Sequence, residues 1–106
     1  MAILIADSGS TKTDWVLLEG DKIIAKYQTI GFNPYFQSSE DIHVEIKSKL
    51  MPILSNKINT ITKIAYYGAG CSTNDKIDVV KQGLLLAFGT ILSEVNHHYI
   101  GASFSM

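Results

Sequence analysis

Asp7-Ser8-Gly9-Ser10-Thr11-Lys12-Thr13-Asp14 packs two carboxylates, four hydroxyls, an amine and a glycine into eight residues. Lys beside Thr in a small-residue run suggests a P-loop, but that motif needs Gly directly before the Lys and a helix directly after it. Here Thr11 precedes Lys12, and Trp15-Val16-Leu17-Leu18 follows with the character of a strand. The stretch instead reads as a small-residue turn between two strands. Backbone N–H groups in such a turn can converge on an anion. Small side chains at Ser8, Gly9 and Ser10 would let a phosphate reach that backbone, with the Lys12 charge and the Thr11 hydroxyl adding to its hold. Asp7 could hold Mg²⁺ directly or through water. An ordinary polar hairpin is the plain alternative, since such turns are common.

Other reactive residue types are isolated. His97 and His98 are adjacent, so on a strand they point to opposite faces, and no third metal ligand stands at a recognisable spacing. Cys71, the one cysteine, has no basic neighbour to activate it and reads as a small buried residue. Asn33, followed by Pro34, offers an amide with both donor and acceptor, suited to a hydroxyl ligand or to a turn before a helix. Trp15, Tyr27, Tyr66 and Tyr67 fall in the strands read below and are expected to pack.

The elements that must position these residues follow from periodicity. Ala2–Ala6 is uninterrupted and apolar, as in a strand buried on both faces. The polar turn Asp7–Lys12 leads to strands over Thr13–Leu18 and Lys22–Thr29, joined at Glu19-Gly20-Asp21, so the chain opens as an antiparallel meander. Ile42, Ile46, Leu50 and Leu54 mark one helix face, opened by a capping box at Ser38 and Asp41 and kinked or ended by Pro52. Ile61–Tyr67 is a fourth strand. Asn74 is expected to cap a second helix that buries Ile77, Val80, Leu84 and Phe88 and is weakened at Gly83. Thr90–Val95 makes a fifth strand, and Tyr99–Phe104 looks like the opening of a further helix. The fold class is α/β, a five-stranded mixed sheet in the order β-β-β-α-β-α-β.

Composition bounds the function. Nine Lys plus Arg against ten Asp plus Glu argue against a nucleic-acid partner, which needs a basic face. With 46% hydrophobic and 18% charged residues the 106-residue chain is no candidate for disorder. Its apolar runs are too short for a membrane span or signal peptide, and one cysteine cannot make an internal disulfide. A cytoplasmic protein with no membrane partner is expected.

Asp7–Trp15, opening this order of elements, resembles the first phosphate-binding turn of the actin-like ATPase and sugar-kinase superfamily, whose domains are ribonuclease H-like. With Gly31-Phe32-Asn33-Pro34 and Tyr67-Gly68-Ala69-Gly70-Cys71, the chain looks most like the BadF/BadG-type ATPases and N-acetylglucosamine kinase-like proteins, over nearly its whole length. The resemblance implies ATP and Mg²⁺ as cofactors and transfer of the γ-phosphate to a hydroxyl of an amino sugar. Asp7 would serve the metal, Ser8, Gly9, Ser10, Thr11 and Lys12 would cradle the phosphates, and Asn33 and Gly70 would meet the sugar. The departures matter as much. Members of the group are much longer, with a second domain carrying another Gly-rich loop and the adenosine pocket. Residues 1–106 therefore resemble an N-terminal domain without its final helix and partner domain, whose exposed cleft face would invite a homo-oligomer. His98 also stands where the group places a catalytic Asp, so no residue is assigned as catalytic. The alternative is a non-catalytic subunit or interaction module of the same fold. A redox-activator ATPase is disfavoured, since one cysteine cannot hold an iron–sulfur cluster within the chain.

Overall fold

The computed structural model describes residues 1–9, 11–68, 73–89 and 91–97. Ser10, Gly70, Cys71, His98 and the segment Tyr99–Phe104 lie outside the described residues. The chain forms β1 (Ala2–Ser8), β2 (Lys12–Glu19), β3 (Lys22–Ile30), α1 (Ser39–Glu45), α2 (Met51–Leu54), β4 (Ile61–Gly68), α3 (Asn74–Phe88) and β5 (Leu92–His97). The five strands make one sheet in the order β3-β2-β1-β4-β5. β1–β2 and β2–β3 pair antiparallel, whereas β1–β4 and β4–β5 pair parallel. The expected meander and mixed sheet are both present.

Alternation along the strands decides which face the helices cover. Ala2, Leu4, Ala6 and Ser8 of β1 are buried, as are Thr13, Trp15 and Leu17 of β2. They share one core with Ile42, Ile46, Leu50, Leu54, Val80, Leu84 and Phe88 from the helical segments. Ile3 is exposed and Ile5, Val16 and Leu18 are half-buried on the other side. The expectation that β1 is buried on both faces is therefore corrected among the described residues. An apolar run looks the same to the sequence whether one face or two are covered. The trace of two-sided burial falls instead on β4, where Ile64–Gly68 is continuously buried.

The capping box opens α1 as expected. Ser38 Oγ accepts from the Asp41 N–H at 3.2 Å, and Asp41 Oδ2 accepts from the Ser38 N–H at 3.0 Å. Ile42, Ile46, Leu50 and Leu54 are all fully buried. A strict four-residue repeat drifts around an α-helix of about 3.6 residues per turn. The chain absorbs that drift by widening into a π-helical turn over Ile46–Leu50, where the Met51 N–H reaches back to the Ile46 carbonyl. Pro52 sits in α2, the last turn of this helical segment as expected, at a position where a missing N–H is tolerated. The helix stops only at Ser55, and a 3₁₀ stretch, Ser55–Thr60, leads into β4.

In α3 the cap position belongs to Thr73, not Asn74, and no side chain caps the backbone there. The Thr73 hydroxyl donates instead to the Asp75 carboxylate and holds it below the usual carboxylate range. Gly83 has a packing reason. A Cβ there would stand 2.7 Å from Ile42 Cγ2 and 2.8 Å from Ile42 Cβ, so the glycine sets how closely α1 and α3 cross. Gly89, at φ +73°, closes the helix. β5 lies two residues further on than expected, because Val95 takes the core position beside Tyr66. No helix among the described residues is long and apolar enough to cross a membrane.

Candidate functional site

The hairpin between β1 and β2 is tighter than the sequence suggested. Ala6 pairs with Trp15, Asp7 with Asp14 and Ser8 with Thr13, which leaves only residues 9–11 to turn. Asp7 and Ser8 are thus strand residues, a correction to a turn running from Asp7. The Gly9 N–H donates to the Lys12 carbonyl at 2.9 Å and closes the turn. Thr11 and Lys12 are exposed at its tip.

Ser8 explains why the strands persist so far. Its side chain is buried, and Oγ accepts from the Phe32 N–H at 2.9 Å and lies 3.3 Å from the Phe32 carbonyl, to which it can donate. Thr13 Oγ1 lies 2.9 Å from both Ser8 Oγ and the Ile30 carbonyl, and its single proton serves one of them. The Ser8 hydroxyl is therefore committed to the loop after β3 and leaves a phosphate only its backbone. Below it, Trp15 Nε1 donates to Thr29 Oγ1 at 2.9 Å, and Phe32 sits edge-on to Trp15 and stacked on Tyr66, each at 6.4 Å between centroids. The aromatic residues pack as expected, with Tyr27 half-buried against the same core.

Asn33 organises the loop that follows. Its Oδ1 accepts from the Tyr35 N–H at 3.0 Å, an Asx turn around Pro34, and its carbonyl accepts from the Phe36 and Gln37 N–H groups at 3.0 and 2.9 Å. Half of the predicted donor–acceptor pair is thereby used internally. Nδ2 has no partner among the described residues and can still donate.

These pieces meet at one edge. β1, β3 and β4 all run toward the hairpin, because β3 is antiparallel to β2 as β1 is. Ser8 pairs with Gly68 and Gly68 with His97, so the carboxyl ends of β1, β4 and β5 are level. Ligands bind outside the carboxyl ends of strands in open α/β sheets. The hairpin tip, the Asn33 loop and the first turn of α3 lie at this edge, and Lys76 of that turn stands 4.7 Å over the Tyr35 ring.

Asp7 is half-buried on the sheet face away from the helices, directly opposite Asp14. Opposed carboxylates repel across a ladder, and Gln28 Nε2 steadies Asp14 with a 2.9 Å bond to Oδ1. A hard cation suits such oxygens. Mg²⁺ is usually held by one or two carboxylates with waters and substrate phosphates, so this donor pair fits it. Among the described residues no group of three or more His, Cys, Asp or Glu could cage a metal alone. Asp14 was not singled out from the sequence as a ligand. The hairpin register carries the signal, since a turn of residues 9–11 makes Asp14 the partner of Asp7. Tyr35 and Lys76 also meet at this edge, and only the fold brings Lys76 to Tyr35.

Neither a family model nor a curated protein matches the sequence. Among solved structures the chain is similar to a provisionally assigned N-acetylglucosamine kinase from Porphyromonas gingivalis, with 34% sequence identity and a TM-score of 0.82. The match covers 91% of this chain and 34% of that protein, so the chain spans about a third of its length. The fold is thereby that of a sugar kinase, an α/β domain of the actin-like ATPase type on a five-stranded mixed sheet.

Proposed function

We propose that residues 1–106 are the N-terminal, phosphate-holding domain of an ATP-dependent sugar kinase of the BadF/BadG and N-acetylglucosamine kinase-like group. The observation that carries this reading is the small-residue hairpin, locked by Ser8 and Thr13 at the carboxyl edge of a sheet whose fold matches such a kinase. Backbone N–H groups of the turn, the Thr11 hydroxyl and the Lys12 ammonium hold the terminal phosphates of ATP. Asp7, with Asp14 opposite, holds Mg²⁺. When bound, Mg²⁺ neutralises charge on those phosphates. Asn33 Nδ2 donates to a hydroxyl of the amino sugar, a ligand that the resemblance also assigns to Gly70. The protein works in the cytoplasm, where ATP is supplied.

In the transfer, the sugar hydroxyl oxygen bonds to the γ-phosphorus as the bond to the β–γ bridging oxygen breaks, ADP leaves and the hydroxyl proton is released to water. The protein's part in such a reaction is positioning and electrostatic stabilisation. This chain supplies one side of the cradle. The resemblance implies an opposing Gly-rich loop and an adenosine pocket in a second domain, and the match covers 34% of the neighbour's length.

Two measurements on the 106-residue chain test this. Amide resonances of Gly9–Lys12 should shift on addition of Mg²⁺-ATP, and Asp7→Ala should abolish the Mg²⁺ dependence of those shifts. A coupled ADP-release assay with N-acetylglucosamine should show no sugar-dependent turnover. Silent hairpin amides would overturn the phosphate assignment, and turnover sensitive to Asp7→Ala would overturn the one-sided cradle.

A further inference from the structure

Phe36 is 85% exposed and its neighbour Tyr35 53% exposed, in the same loop as Asn33. Scattered exposed apolar residues are ordinary on a protein surface. A large ring held out by a fixed loop at a ligand edge is not. Asn33 fixes this one through four bonds: the three it accepts from Tyr35, Phe36 and Gln37, and a fourth that its own N–H donates to Gln37 Oε1 at 2.6 Å. Phe32 is buried at the start of the loop and the Ser38 capping box closes its end. The Lys76 ammonium already stands over the Tyr35 ring. Among the described residues no ring or cation covers Phe36.

The geometry points to Phe36 as the platform for the apolar face of the sugar ring, with Tyr35 and Lys76 bracing the loop against α3; this rests on the amino-sugar kinase reading above. A pyranose with equatorial hydroxyls turns C–H groups toward its faces. Those weakly positive hydrogens suit the negative face of an aromatic ring. The hydroxyls then lie at the rim, within the province of donors such as Asn33 Nδ2. Its orientation follows from the loop, because Oδ1 must face the Tyr35 N–H it accepts. Apolar body and sparse, placed polar groups are the ordinary make-up of a small-molecule site.

The test is NMR on the 106-residue chain with N-acetylglucosamine as the probe. Saturating the aromatic resonances should transfer to the ring C–H protons of the sugar in the wild type. Phe36→Ala should lose that transfer and weaken binding about tenfold. Its melting temperature should not change, because an exposed ring contributes little to the folded state. Phe36→Trp should keep both transfer and binding. Sugar-dependent shifts at Asn33 without aromatic transfer, or equal binding by Phe36→Ala, would overturn the platform and leave the kinase reading standing. Absence of any sugar-dependent shift in the folded wild type would overturn both. Loss of self-association in Phe36→Ala, with sugar binding unaltered, would make Phe36 a docking residue and overturn the platform.

Discussion

Ser8 joins two elements through a single oxygen, accepting from the Phe32 N–H inside the core. Ser8→Ala would leave that N–H buried without an acceptor, a loss of roughly 1–3 kcal/mol. Urea unfolding should show the full decrease, and a change within ~0.5 kcal/mol would mean that the loop is held by packing alone. The effect separates structure from ligand chemistry. Asp7→Ala removes a half-buried carboxylate from a repulsive pair and should alter cation binding far more than folding. Neighbouring residues in one motif thus divide the work, Ser8 shaping the edge and Asp7 serving it.

At the scale of elements, α1 and α3 cross over Gly83 and Ile42. Alanine at 83 gains up to about 1 kcal/mol in helix propensity over glycine. Against that, its Cβ would press on the β-branched centre of Ile42, which cannot swing aside, and would stand 3.2 Å from the Ser39 carbonyl. Overpacking of this kind costs typically 1–3 kcal/mol, roughly. Gly83→Ala should therefore destabilise the domain, lowering the urea midpoint with an unchanged slope. A higher midpoint would show that the helices separate freely. The periodicity of Ile42, Ile46, Leu50 and Leu54 was legible in the sequence, and so was the cap at Ser38. The π-helical turn over Ile46–Leu50 was not, because it answers to the core that the four residues share.

At the scale of the molecule, the described helices cover one side of the sheet. The other side shows Ile3 at 38% and Ile23 at 55% exposed, beside half-buried Ile5, Val16 and Leu18. Apolar surface of that kind favours association. Sedimentation of the 106-residue chain at micromolar concentration should show species larger than monomer, and Ile3→Lys should shift the population toward monomer. A clean monomer across a dilution series would count against the expectation.

The sequence by itself determined the elements and the nature of the motif. The run of aromatic and aliphatic residues in Thr13–Leu18 made a strand there, and a strand in that place excluded a P-loop whatever the rest of the chain did. Periodicity and capping are local, set by residues a few positions apart, and a single chain displays them openly. Other matters rest on contacts distant in sequence. Ser8 turns inward because Phe32, 24 residues on, brings a backbone N–H to meet it. Phe32 and Phe36 are the same residue type in the same loop. One is buried between Trp15 and Tyr66 and the other stands in solvent. Nothing local separates them; only the arrival of β2 and β4 beside the loop decides which ring the core takes and which is left for a ligand.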